Sequence, residues 1–436
     1  LAVARQAPAE ALGLWRAAAR EAAPFGPDHV RARQGEAQAL LRLGDAPASR
    51  AVVQELVSHA MEHMDWGTVA DSATIATEAG VWASREHGSD DETFIAALTS
   101  ALEHVDGAEE AKLCATLMVE HFLGFDRELT TAYGDRAAAA SRGAGDEALV
   151  NQVLYLQVLC RTGRRRDGDR EERLALLEEL LGRKPGGEIE VAGLFHLGWT
   201  LFELGRFEES DDHMSRCAAA AADLRHAGFD VPLAWWFAAR ARDADDPAAP
   251  ALTDEALRLH RESGLIGLDE ARCVHAVASR ATGTSLDEEI IDVARRRGPP
   301  TRAVVAWGLV EAGELHRVGD LVEVLIPPDV EDYAALAGNC LQLAVLAALG
   351  DVERVQVLVD RLMPNAEDVV VYGSLDHLGV VDEFLALGLE CLGRHEDALT
   401  HARRAVARLS ELGMQPALRR CSRLLGQLES GEGAGG

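Results

Sequence analysis

Apolar and polar residues alternate along this chain with a helical period, and a Gly or an acidic Gly/Pro turn interrupts the helical stretches again and again. The turns fall near Gly44, Gly88, Gly124, Gly163, Gly205, Asp243, Gly283, Gly313, Gly350 and Gly393. From Gly44 to Gly393 there are nine intervals of 30 to 44 residues, averaging about 39, the period of helix-turn-helix solenoids. Pro27, Pro232, Pro299, Pro300 and Pro416 fall between units, where helices stop or start.

The small residues around each turn narrow the class of repeat. Gly198 lies seven positions before Gly205, with Ser210 five and Cys217 twelve after it, and Leu194, Leu197 and Leu201 flank the glycine. Small residues at those positions let two helices approach closely while leucines fill the groove between them. Ala386, Ala398 and Ala405 repeat the spacing around Gly393, and Ala37 and Ser49 keep it around Gly44, where Leu56 takes the third place. This is the tetratricopeptide arrangement, and it predicts an all-α solenoid of about ten hairpins, a right-handed superhelix with a concave inner face. One superhelical domain is expected over 1–428, degenerate over 1–150 and better defined over 151–428, with a flexible tail at 429–436. The turn at Gly163 carries an insertion running from Arg164 to Arg170.

Composition agrees. Hydrophobic residues make up 48% of the 436 positions and aromatics 5%, with Ala and Leu prominent, which favours helix over strand. The net charge of −29 argues against direct binding to nucleic acid or to anionic membrane. Near-exclusive use of Arg, with Lys112 and Lys184 the two lysines, points to a GC-rich genome. Seven cysteines stand singly, with no Cys-x-x-Cys pair, and read as small buried hydrophobes of a reducing, cytoplasmic compartment. No apolar run is long enough for a membrane span. The chain opens at Leu1 inside an Ala-rich helical pattern and is expected to be a piece of a longer protein.

The stretch Val369-Val-Val-Tyr372-Gly373-Ser374-Leu375-Asp376-His377-Leu378-Gly379, the turn Gly393-Arg-His-Glu-Asp-Ala398, and Leu412-Gly-Met-Gln-Pro-Ala-Leu-Arg-Arg420 carry a resemblance. Over roughly 369–424 the chain resembles the C-terminal tetratricopeptide region of large actinobacterial transcriptional regulators, of the antibiotic regulatory protein type and the related large LuxR-type ATPase regulators. The resemblance implies a sensor arm that controls a nucleotide-binding switch and a DNA-binding domain of the same parent chain. On that reading a small-molecule inducer or a regulatory protein would be the trigger. No Gly-x-x-x-x-Gly-Lys-Ser/Thr run is present, so no cofactor is expected in this segment, although the parent protein would bind ATP. No DNA-reading helix-turn-helix follows the last repeat, which favours a DNA-binding domain at the far N-terminus.

Candidate chemistry is sparse. His59-Ala-Met-Glu62-His63 matches the His-x-x-Glu-His pattern of inverted zinc peptidases, but a third ligand is missing and a solvated helix face is the expected setting. His395 and His401 flank an ordinary helix start. No Gly-x-Ser-x-Gly elbow and no Cys–His pairing suggest a nucleophile, so no enzyme activity and no metal are expected. Tyr155, Phe195, Trp199, Trp235, Trp236 and Trp307 recur on first helices and are the concave-face candidates for ligand or partner contact, with core packing as the competing reading. Arg164, Arg165, Arg166, Arg403, Arg404, Arg419 and Arg420 are candidates for docking an adjacent domain, against the alternative of a charged cap. The sequence therefore points to a non-catalytic sensor module. A free-standing protein-protein interaction scaffold is the alternative, and a zinc hydrolase through His59, Glu62 and His63 the remote one.

Overall fold

The computed structural model describes residues 8–77, 80–82, 88, 91–163, 168–278, 284–327, 330 and 333–430. Among them the fold is the expected all-α helical-hairpin repeat of tetratricopeptide kind, with 21 α-helices. The chain packs as two compact units where the sequence suggests one domain. The first comprises Leu1–Thr200, Glu209–Pro232 and His260–Ile266; the second comprises Leu201–Glu208, Leu233–Leu259 and Gly267–Gly436.

In the first unit α1 (Pro8–Glu21), α2 (Pro27–Arg42), α3 (Ala46–Glu62), α4 (Trp66–Ile75), α5 (Glu92–Ala101), α6 (Gly107–Leu123), α7 (Arg127–Ala144), α8 (Glu147–Leu159) and α9 (Asp169–Gly182) follow one another. α10 (Gly187–Glu203) and α11 (Phe207–Ala221) contribute most of their length. Aspartates start the helices: Asp45 accepts from Ala48 N–H at 3.1 Å, Asp65 from Thr68 at 3.1 Å and Asp126 from Leu129 at 2.9 Å, each satisfying a donor the helix leaves open. The chain reverses between helices through left-handed residues. Gly44 (φ 90°) serves before α3, but Met64 (φ 54°) and Phe125 (φ 64°) do the same work without a glycine. The reversal expected at Gly124 is thus one residue later.

The small-residue spacing has the anticipated cause. A Cβ on Gly198 would lie 2.9 Å from Met214 on α11, and Ser210 Oγ donates to the Gly198 carbonyl at 2.7 Å. Ala37, Ser49 and Leu56 are likewise buried.

The second unit holds the rest of α12 (Ala227–Asp243) from Leu233 and α13 (Ala249–Ser263) as far as Leu259. It continues through α14 (Leu268–Ala278), α15 (Glu288–Arg295), α16 (Pro299–Glu311), α17 (Ala335–Leu349), α18 (Val352–Leu362), α19 (Val381–Cys391), α20 (His395–Leu412) and α21 (Gln415–Ser430). Ala386, Ala398 and Ala405 are fully buried where α19 and α20 meet. The last helix runs through Ser430, two residues into the expected tail. Gly283, one of the expected turns, lies outside the described residues.

One departure from helix interrupts this unit. β1 (Val369–Tyr372) and β2 (Asp376–Val380) form an antiparallel hairpin with Tyr372 opposite Asp376, Val369 opposite Val380, and a bulge after Val370. Three valines and a tyrosine in succession favour strand, and Gly373 (φ 56°) allows the turn. The hairpin is buried rather than an open edge. Tyr372 donates to Glu270 at 2.7 Å, Arg242 donates to Asp376 at 2.9 Å, and His377 bonds Asp243 at 2.7 Å.

Candidate functional site

Helices α2, α4, α6, α8 and α10 of the first unit, every second one, each present a residue to one open groove of about 480 Å³. Gln38, Asp71, Lys112, Gln152 and Ile189 come from these five helices in that order, and Gly186 and Gly187 border the groove with bare backbone. Alternate helices share a lining because each hairpin repeats the placement of the one before it. Lys112 Nζ donates to Asp71 at 2.6 Å, and Arg42 holds Glu188, at the groove's edge, at 3.0 Å. The lining thus offers amides, one compensated cation and two carboxylates beside Ile75, Ile189 and Leu224.

Tyr155, from α8, separates this groove from a smaller internal space of about 50 Å³ lined also by Gly80, Trp82 and His226. Its hydroxyl donates to the Gly80 carbonyl, and burial raises the phenol well above its ordinary range. Gly228 N–H donates to His226 Nδ1 at 3.0 Å. Desolvation pushes the His226 imidazole down to about 4, with the Arg42 charge acting in the same direction and Glu188 against it.

The other aromatic candidates occupy different places. Phe195, Trp199, Trp235 and Trp236 are buried, so their rings form core rather than a contact surface. The Phe195 and Trp199 rings meet edge to face at 6.2 Å. Trp236 packs against Phe202 and His377. Trp307 is half-buried beneath the Arg420 guanidinium, 5.1 Å from its ring centre.

Among the arginines expected to dock a neighbour, the four described ones have partners in their own unit. Arg403 pairs with Glu429 at 3.0 Å, Arg404 with Asp382 at 2.9 Å, Arg419 with Asp245 at 3.0 Å and Arg420 with Glu383 at 2.9 Å. Arg164, Arg165 and Arg166 lie outside the described residues. Arg161 is buried and holds Glu172 at 2.6 Å.

Two Asp–His pairs, Asp243–His377 and Asp382–His401, have the base-orienting half of a hydrolytic triad. The His377 side chain is fully enclosed, and its ring lies 4.0 Å from that of Phe202. Asp382 is bonded by Arg404 as well as by His401, which suits a structural tie between α19 and α20. Cys114, Cys217, Cys273 and Cys421 are pushed up to about 12 by burial, which keeps them as thiols.

No protein-family profile matches this chain. No curated protein matches it either. Among solved structures it is similar to a Rap protein complexed with competence and sporulation factor, at 12% identity over 93% of this chain and 98% of that one, with a TM-score of 0.40. It is also similar to the TPR domain of P58(IPK), at 10% identity over 96% and 94%, with a TM-score of 0.21. Neither carries an activity or a ligand to this chain. None of the described helices is long and apolar enough to cross a membrane.

The groove was not foreseen. Its residues come from separate hairpins and form no local motif, and their spacing near the repeat period is what marks them.

Proposed function

We propose that this chain is a non-catalytic binding module whose ligand occupies the groove of the first unit, and that it serves as the sensor arm of a cytoplasmic multidomain transcription regulator. The groove carries the first half of this reading. About 480 Å³ falls within the ~300–1,000 Å³ of small-molecule sites, and its amides and paired charges beside apolar side chains suit a small polar inducer or a short peptide segment. The likeness of 369–424 to actinobacterial regulators supports the second half, in which occupancy biases an adjacent nucleotide-binding switch and DNA-binding domain. A ligand that prefers one arrangement of the helices shifts that balance by its differential affinity alone.

The test fills the groove without touching the core. Gln152→Trp places an indole in the open volume, and Lys112→Met removes the cation. Both variants should keep the wild-type melting temperature while losing the melting shift given by hits from a metabolite and peptide library. In a promoter reporter driven by the regulator that contains this segment, Gln152→Trp should fix the output at one level regardless of inducer. Retained ligand shifts in both variants would place the site elsewhere. An unchanged reporter response would remove the sensor role.

A further inference from the structure

The side chains of His59, Glu62 and His63 come together at the C-terminal end of α3, with one ligand atom from each lying within 4.8 Å of the others. We propose that this cluster is a binding site for a divalent transition-metal ion of the zinc, nickel or copper kind, with binding rather than hydrolysis as its role.

Three observations support it. First, the spacing brings two imidazoles and a carboxylate to one helical turn. Ligands around a tetrahedral ion at about 2.0–2.1 Å stand some 3.3 Å apart, which small side-chain rotations reach from the present positions. Second, both rings are held, one by a hydrogen bond and one by stacking. His63 Nδ1 lies 2.9 Å from the His59 carbonyl, so the tautomer that donates there leaves the Nε2 lone pair for a metal, the way ligating histidines are held. The His59 ring stacks on Phe25, with centres 3.8 Å apart and planes at 20°. Phe25 is itself held in a left-handed turn (φ 56°), with His29 at its edge. Third, thiols do not compete, because six of the seven cysteines are buried and Cys391 is half-buried.

The donor set decides the ion. Two imidazole nitrogens and one carboxylate suit zinc, nickel and copper, whereas magnesium and calcium require oxygen donors. Glu62 as a ligand leaves the peptidase pattern without its base, and the exposure of Glu62 and His63 leaves water free access to the ion. The loss of that base is what argues against hydrolysis. The site does not depend on the groove.

The experiment titrates the chelator-stripped full chain with zinc chloride, nickel chloride and copper chloride by calorimetry, in the presence of excess magnesium to occupy the acidic surface. One ion per chain is expected, tightest for copper and unaffected by magnesium. His59→Gln with His63→Gln should abolish binding while far-ultraviolet circular dichroism stays unchanged, and Glu62→Gln should weaken it about tenfold or more. Should the double variant lose helix, protection of His59 and His63 from diethyl pyrocarbonate by zinc in the wild-type chain tests the same site. Absence of saturable one-to-one binding, full binding in the double variant, unchanged affinity in Glu62→Gln, or no protection would each overturn the site.

Discussion

Burial of His226 beside the internal space at Tyr155 makes the first unit sensitive to mild acid. The side chain is 3% exposed, its Nδ1 accepts the Gly228 N–H, and its ring lies 4.8 Å from that of Phe229. Desolvation lowers the imidazole from 6.5 to about 4. The unfolded chain therefore binds a proton that the folded chain refuses, and the sign follows. The contribution is fully present above pH 6.5 and is lost as pH falls through about 4. A difference of roughly 2.5 units corresponds to about 3 kcal/mol, of which about 2 kcal/mol is gone by pH 5. Urea unfolding followed by tryptophan fluorescence at pH 7 and pH 5 should show that loss.

His226→Asn isolates the cause. Asparagine accepts from the backbone N–H two residues on, as such side chains do in turns, and does not titrate in this range. The variant should lose some packing at pH 7, yet its stability should change between pH 7 and pH 5 by about 2 kcal/mol less than that of the wild type. Equal slopes in the two proteins would refute the assignment. His260, whose pKa is also lowered by burial, would then be the next residue to replace.

Further substitutions test the structural roles of Arg420 and of two glycines. Arg420→Met strands the Glu383 carboxylate, which is 2% exposed and whose pKa is raised by desolvation. It should cost about 3 kcal/mol in urea unfolding, with most of that recovered in the double variant Glu383→Leu/Arg420→Met; a loss below about 1 kcal/mol would return Arg420 to the docking surface. Gly198→Leu drives a side chain into Met214 and should cost about 2–3 kcal/mol by thermal unfolding, whereas Gly145→Ala, at a left-handed C-cap (φ 70°) with no neighbour within 4 Å, should cost about 1 kcal/mol.

What could be read from the chain and what could not divide along the range of the interactions. Helix starts at Asp45 and Asp126, and the close approach at Gly198, depend on neighbours within one hairpin, and such signals survive in the sequence. The ion pair of Arg419 with Asp245 joins residues 174 positions apart, so an arginine cluster looked free until the fold supplied its acids. The aromatics were ambiguous for a related reason. A helix packed on both sides, as α8 and α10 are, shows no polar stripe to mark which way a ring points, and burial decided it. The β-hairpin was visible as Val369-Val-Val-Tyr372 but was outweighed by the helical pattern on either side of it.

The groove was legible in a way the turn signals concealed. Gln38, Asp71, Lys112, Gln152 and Ile189 follow one another at 33, 41, 40 and 37 residues, the spacing of the repeat itself. A site assembled from one helix per hairpin leaves no local motif, because its members never neighbour each other in the chain. What it leaves is a spacing near the repeat period. The positions do not align on the turns, since Gln38 lies six before Gly44, Lys112 twelve before Gly124 and Ile189 sixteen before Gly205. Four of the five are polar. They are half-buried or, at Asp71, exposed, and Lys112 pairs with Asp71 at 2.6 Å, so the open groove holds them at little cost in unpaired buried polar groups.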